Sequence, residues 1–578
     1  MYTFANKWCV IPLHNHIKPY IERVNLKEVL LFIRFVMKRV LLFMITTLLV
    51  VSCQKEDLFE FREQSAITII LPDTLPHIVP INPIIQNETE IILGDQLENP
   101  YSVENMRNAY VTRSQDFIDA GLDEDEITTT HFYVKFKPDD ESELQLIKQR
   151  YINQDIYEYP LDYEISGRTS YHDPSLPDTV PTYQYMAIDS LSWNVITRPE
   201  NVDYEVLERL YIPDEDLDIN ISSCAMFTGT MSYIEAIETL VNTSMALTGN
   251  LEDDMTDENG VMSSGNKWYP SGRITAYDDI VDGQVPLQGV KIRARRWFTT
   301  HTAITDEDGY FTCSKGFKHP ANYSIVWEGS MWDIRDDYMV QAYYNGPKIE
   351  GAWNLAIPNN NNKSLRFATI HRAAYRMMEG DTYGLSRPTT RQKIAYLHRD
   401  GSDNGTYYCE IGLGVFCDIR ILGKDNNGWR SVHHLISTTF HELGHAAHFT
   451  NSPIQFPLMR GYLRESWASF VGYYLVINEY QELGFYSGPF EMGSYESDDP
   501  NIFVSYPYYV PDNRINYQLC EVDGNTLYTP FFIDLYDIQN QYISNVKYDA
   551  TNASTQEYYP YDEIKNLPID VLEDIAYT

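Results

Sequence analysis

The chain has 578 residues, room for about three domains, with 44 Lys plus Arg against 82 Asp plus Glu and a formal net charge of -38. That balance excludes nucleic acid as a partner, because such binding depends on neutralising phosphates, and it suits a protein exposed outside the cell. Five of the seven cysteines, Cys224, Cys313, Cys409, Cys417 and Cys520, are scattered along the chain after residue 53 and form neither a disulfide framework nor a metal cluster.

At the amino terminus, Met37-Lys38-Arg39 precedes an apolar run from Val40 to Val51 and then Ser52-Cys53. A basic start, a short apolar core and a small residue before cysteine describe a secretion signal, and the run is too short to span a bilayer. Val50-Val51-Ser52-Cys53 resembles the lipobox of bacterial lipoproteins. The resemblance implies cleavage before Cys53, lipidation of that residue, and attachment to the outer membrane with surface exposure. Residues 1–52 are therefore expected to be a leader whose native start is Met37, and residues 53–89 a lipid-anchored tether. Gln54 to Asp57 reads either as an acidic export tag, like those of surface lipoproteins, or as plain polar tether.

Residues 90–260 read as an α+β accessory region. Val103 to Tyr110 and Glu141 to Arg150 carry helical patterns, and Thr128 to Phe136 reads as a strand from its β-branched and aromatic content. No chemistry attaches to this region; accessory, pro-segment-like and binding roles all stay open.

From 266 to 348 the pattern changes to short alternating strands. Gly272 to Ala276, Val285 to Ala294, Ala303 to Phe311 and Tyr323 to Trp327 predict a β-sandwich, with Asp308-Gly309 supplying the positive φ of a hairpin turn. The runs Val285-Pro286-Leu287-Gln288-Gly289-Val290-Lys291-Ile292-Arg293-Ala294 and Thr305-Asp306-Glu307-Asp308-Gly309-Tyr310-Phe311 resemble the carboxypeptidase regulatory-like, transthyretin-type module over residues 272–327. That resemblance implies a spacer or a platform and says nothing of catalysis. The aspartates read as a solvated turn, not a calcium site.

After the loop Asn359 to Asn362, residues 350–578 are expected to form a mainly α domain. Phe367, Ile370, Ala374 and Met377 recur at helical spacing and predict a core-facing helix. Cys409 and Cys417 either bridge across a hairpin or stay as two buried thiols. Next comes His441-Glu442-Leu443-Gly444-His445, with Glu465 twenty positions after the second histidine. Residues four apart share a helix face, so both imidazoles can reach one ion, and a carboxylate from a following helix completes a His2Glu zinc set with an open position. Glu442 sits at a different angle, placed to take a proton as general base and not to bind the metal. Apart from Glu442, neither charge nor proline interrupts Thr438 to Phe449, which suits a buried helix. A second buried helix starts near Arg464 and runs to about Tyr480.

This spacing resembles the gluzincin metallopeptidases, the thermolysin-like clan. The resemblance implies one zinc ion on His441, His445 and Glu465 and the general-base role for Glu442. It departs at Ser469, where the thermolysin pattern has an aspartate, so the groups orienting the ligands must differ. The metzincin pattern fails at His448 and Asn451. The alternating strand Gly414 to Leu422, with Asp418 and Arg420 on one side, reads either as an ordinary sheet strand with one solvated face or, by the same resemblance, as a sheet edge on which peptide adds. Tyr473, Tyr474 and Tyr528 are oxyanion candidates, the last on a late helix from Tyr528 to Leu535. His434 and His448 read as partly buried histidines bonded to carboxyls. The expected whole is a multidomain α+β protein: a β-sandwich module followed by a zincin-type domain, acting as a cell-surface zinc peptidase. The alternative is an adhesin or nutrient-binding lipoprotein that uses the zincin fold as a scaffold.

Overall fold

The computed structural model describes residues 88–195, 199, 201–213, 231–250, 267–360, 362–400, 405–411, 415–425, 428–485, 531–536 and 566–578. The expected leader, the lipid anchor at Cys53, nearly all of the tether and Tyr528 lie outside the described residues. All described residues except 409–411 and 415–416 fall within one unit. Among the described residues no helix is long and apolar enough to cross a membrane. The fold is α+β, with several sheets and helices in alternation.

The amino-terminal region runs β1 (Ile92–Gln96), α1 (Val103–Thr112), α2 (Ser114–Asp119), β2 (His131–Lys137), α3 (Glu141–Arg150), β3 (Tyr163–Ser166), β4 (Gln184–Asp189), α4 (Ser190–Val195), β5 (Asp203–Leu210) and α5 (Tyr233–Leu247). Caps set the helix starts: the Ser102 hydroxyl accepts from Asn105 N at 3.0 Å, and the Asp140 carboxylate from Glu143 N at 3.0 Å. The antiparallel sheet β4-β2-β5 buries Val134, Phe136, Met186 and Ile188 against Ile147 of α3 and the adjoining Tyr151. The two helices and the strand expected here are thus present, and α3 has the expected bounds.

The second region comprises β6 (Ser271–Asp278), β7 (Gly283–Pro286), β8 (Lys291–Arg296), β9 (Thr299–Ile304), β10 (Tyr310–Thr312), β11 (Ala321–Val326), β12 (Trp332–Asp336), β13 (Val340–Gln341), β14 (Tyr343–Ile349) and β15 (Trp353–Ile357). Two four-stranded sheets form, β10-β6-β15 with β7 beside β6, and β14-β11-β8-β9. They pack through Tyr323 of β11, whose ring lies 5.3 Å from Trp353 of β15 and 6.1 Å from Phe311 of β10. Gly309 has the expected positive φ of 80° and closes the expected tight turn: its N–H donates to the Asp306 carbonyl at 3.0 Å, and Asp306 N donates to the Tyr310 carbonyl at 2.8 Å. β9 pairs with β8 and β10 with β6, so the turn carries the chain from one sheet to the other.

The carboxy-terminal elements are α6 (Lys363–Met378), β16 (Gln392–Asp400), β17 (Gly405–Ile411), β18 (Val415–Asp425), β19 (Gly428–Trp429), α7 (Val432–Asn451), α8 (Gly461–Glu482), α9 (Phe531–Tyr536) and α10 (Ile569–Tyr577). Phe367, Ile370, Ala374 and Met377 of α6 are all fully buried, as their spacing predicts. Two expectations change here. The described residues after 350 are mainly helical, as expected, but β16, β17, β18 and β19 join β12 and β13 in a six-stranded sheet, β13-β12-β16-β18-β17 with β19 beside β18. The expected boundary at 348–350 does not separate the sheets. β12, before it, pairs in parallel with β16, while β15, after it, returns to pair in parallel with β6. Finally, β18 is not an edge strand. It pairs in parallel with β16 on one side, and β17 takes the outer position. Arg420 of β18 lies 5.0 Å over the Tyr338 ring.

Candidate metal centre

Helices α7 and α8 bring the expected donors together. α7 is a 20-residue helix whose buried face includes Leu435, Phe440, Leu443, Ala446 and Ala447. His441 and His445 are one turn apart on it, with ring centroids 4.8 Å apart and nearly perpendicular planes. Glu465, on the first turns of α8, points its carboxylate between them. Its Oε2 is 3.2 Å from His441 Nε2 and 3.1 Å from His445 Nε2. The ligand atoms of all three lie within 4.8 Å of one another.

Close approach of the two helices makes this possible, and small residues permit it. A Cβ on Gly444 would meet Val471 Cβ at 3.0 Å and Ala468 Cα at 3.4 Å. A Cβ on Gly472 would meet the Ser437 carbonyl at 3.2 Å and His441 N at 3.5 Å. Gly444, Ala468 and Gly472 thus let α7 and α8 touch along the backbone beside the donors. Sequence reasoning passed over these residues; the available signal was the four-residue spacing of Ala468 and Gly472.

The donor set suits a borderline-soft ion such as zinc. Two donors on a tetrahedral zinc ion stand about 3.4 Å apart, given bond lengths of about 2.1 Å. The observed separations of 3.1 and 3.2 Å are close to that edge. They also serve as N–H···O hydrogen bonds when an imidazole carries its proton on Nε2. Burial pushes the Glu465 carboxyl up, but His445 and His441 beside it outweigh burial and hold it well below the usual carboxylate range. Glu442 is 2% exposed, so an ionisable carboxyl is enclosed in the same helix between the two histidines.

The other expected groups fall in different places. The Tyr474 hydroxyl donates to the Tyr383 carbonyl at 3.0 Å, and its ring stacks on Phe470 at 5.6 Å. It is nine residues beyond Glu465, about half a turn round α8, so it points away from the donors. Tyr474 is therefore not placed as an oxyanion donor. Tyr473, 6% exposed, sits about 12 Å further along the helix axis than Glu465. Among the described residues His448 bonds to no carboxyl: it stacks at 4.9 Å on Tyr577 of α10 and meets Phe456 edge-on at 4.9 Å. Burial, with His445 and Arg464 nearby, pulls its pKa down to about 3. His434 Nε2 lies 3.3 Å from Arg430 Nη1, and burial followed by Arg430 lowers its pKa to about 3.

Groups from the β-sandwich also reach the helices. Asp279, just after β6, accepts from Val432 N at 2.7 Å and His433 N at 3.1 Å, where α7 begins. Ser431 precedes α7 but makes no side-chain cap bond, so this distant carboxylate takes the cap's place. Its neighbour Asp278 accepts from Arg372 of α6 at 2.6 Å and from the Tyr480 hydroxyl of α8 at 2.9 Å. Arg372 and Arg376 both bind Glu479 of α8, at 2.6 and 2.7 Å. Nothing in the local sequence marks this Asp-Asp pair as more than a turn.

No protein-family model, curated protein or solved structure is significantly similar to this chain.

Proposed function

We propose that this chain is a zinc-dependent peptidase, with the metal on His441, His445 and Glu465 and Glu442 as general base. The convergence of both imidazole Nε2 atoms on one Glu465 oxygen, beside a buried Glu442, carries the reading. Zinc held by these residues would supply a Lewis acid that polarises a scissile carbonyl and acidifies water. The chain's own part is positional and protonic. Glu442 is about 100° round α7 from His441, so its carboxylate faces the reaction zone without joining the donor set. It takes the proton of the attacking water and delivers it to the leaving amine nitrogen. Glu442 and His445 are buried, so this transfer happens in a medium where charge interactions are strong. The gluzincin resemblance supports the same assignment of roles. The lipobox-like Val50 to Cys53 supports attachment to the outer membrane through Cys53.

The test pairs metal analysis with peptide cleavage. Wild type should carry about one zinc per chain and cleave casein or a quenched peptide library. His441→Ala should lose the zinc. Glu442→Gln keeps volume and hydrogen bonding but removes the base, so zinc should stay while turnover falls by about 10²–10⁴. Equal cleavage by Glu442→Gln would sink the mechanism. Stoichiometric zinc without any cleavage would favour a scaffold that binds and does not hydrolyse.

A further inference from the structure

The geometry points to Asp279, with its neighbour Asp278, as a positioning device for the candidate metal centre, built into the β-sandwich. The inference rests on the metal-centre reading above. The two helices that carry the donors are held by consecutive residues of one turn. Asp279 takes the first free N–H groups of α7, at Val432 and His433, and its Oδ1 also lies 3.2 Å from His433 Nδ1. A carboxylate there satisfies orphan amide donors and complements the positive end of the helix. Asp278, fully buried, reaches α8 directly through Tyr480 and indirectly through Arg372 and Glu479.

The turn is itself bonded to the same carboxylate. Asp278 Oδ1 accepts from Ile280 N at 2.8 Å and Val281 N at 3.0 Å, so one carboxylate shapes the loop with one oxygen and binds the helices with the other. Asp279 sets where α7 starts and how it is turned about its axis. His441 lies nine residues on, two and a half turns away, so a small rotation at the cap is carried rigidly to both imidazoles. Asp278 sets the far end of α8, whose near end presents Glu465. The relative rotation and sliding of α7 and α8 decide whether three donors meet, and this pair constrains both. Asp279 acts through the helix and touches no donor, so it is a positioning residue.

The experiment uses the full chain. Zinc affinity is measured by competition with a chromogenic chelator, and the visible spectrum of the cobalt-substituted protein reports donor geometry. Asp279→Ala should weaken zinc binding by about 10–100-fold, the range found for groups that orient metal ligands, and should alter the cobalt bands. Asp279→Asn retains one acceptor oxygen for one of the two amides and should recover part of both. Leu144→Ala, in the fully buried core of α3, serves as a control for general loss of stability. Wild-type affinity and spectrum in Asp279→Ala overturn the proposal, as does an equal loss in Leu144→Ala at the same fall in Tm. If Asp279→Ala does not fold, wild-type affinity and spectrum in a folded Asp279→Asn overturn it. Wild type that takes up no zinc removes the metal-centre reading and this proposal with it; wild type that binds while the variants match it removes the proposal alone.

Discussion

Gly444→Ala sets two known effects against each other at the helix contact. Alanine in a helix interior is favoured over glycine by about 1 kcal/mol. Against that, the new methyl would stand 3.0 Å from Val471 Cβ, 3.2 Å from Val471 Cγ1 and 3.4 Å from Ala468 Cα. Ordinary carbon contacts lie near 3.5–4.0 Å, so α8 must shift by a few tenths of an ångström. Overpacking of this kind costs about 1–3 kcal/mol. The net expectation is a loss of about 0–2 kcal/mol, a fall in Tm of a few degrees at most. The larger effect should be on the donors, because the shift moves Glu465 away from His441 and His445. The assay is thermal unfolding with zinc removed and with zinc in excess. Zinc should raise the Tm of Gly444→Ala less than that of wild type, since stabilisation follows RT ln(1 + [L]/Kd). A variant that gains the full helix-propensity stabilisation and keeps the wild-type zinc shift refutes the argument that this contact sets the donor spacing.

The remaining predictions concern ionisation and anchoring. Glu158 is buried 3.7 Å from Arg335; burial pushes its carboxyl up to about 7 against the pull of Arg335 and Lys148. Its folded pKa is raised, so its contribution is full below about pH 4.5 and is lost as pH rises through about 7. Glu158→Gln should flatten the fall in urea midpoint between pH 5 and pH 8, and an unchanged slope removes the assignment. His371 runs the other way: burial lowers its pKa to about 4, and its Nε2–H donates to the Gln288 carbonyl at 2.9 Å. Its contribution is present above pH 6.5 and is lost as pH falls through about 4, so a variant unable to titrate there should lose stability less steeply in that window. Cys53→Ala should leave an unprocessed precursor or a soluble product; processed protein that still partitions into detergent would place the anchor elsewhere.

The donor set was legible because its information is local. Periodicity marks α7 and α8 as buried helices, and the four-residue and twenty-residue spacings place three donors on facing surfaces. Helix α3 was legible for the same reason, with Asp140 at its start and a charged last turn. The sheet partners were not legible. The alternation of β18 marks a strand with one solvated face; that it would be an edge was implied only by the resemblance, and whether a strand is flanked depends on β16 and β17, which no local pattern encodes. The Asp308-Gly309 turn shows the same limit: its positive φ is a local property and was readable, whereas the sheet each flanking strand joins is not. Tyr474 was a reasonable oxyanion candidate by type, and simple helix rotation removes it.

The resemblance implied a spacer or a platform for the β-sandwich; its bonds to the helices are those of a platform, and they were unreadable for a topological reason. Asp279 and Val432 are 153 residues apart, and the bond between them is invisible to any window along the chain. The strands are interleaved as well. The chain leaves the sandwich to lay β12 and β13 against the later sheet, then comes back for β14 and β15. Cutting at the expected boundary would strip β16 of its partner β12 and β15 of its partner β6. The amino-terminal region is tied in too: Arg293 of β8 donates to the Ile156 carbonyl at 2.9 Å, and Lys148 of α3 meets Asp333 of β12 at 3.0 Å inside the protein. Buried charges of this kind are costly to expose singly, so the regions hold one another in register. A candidate site that depends on the rotation of two helices is then set by contacts spread over more than 300 residues, although the three candidate donors and the proposed base fall within the 25 residues from His441 to Glu465.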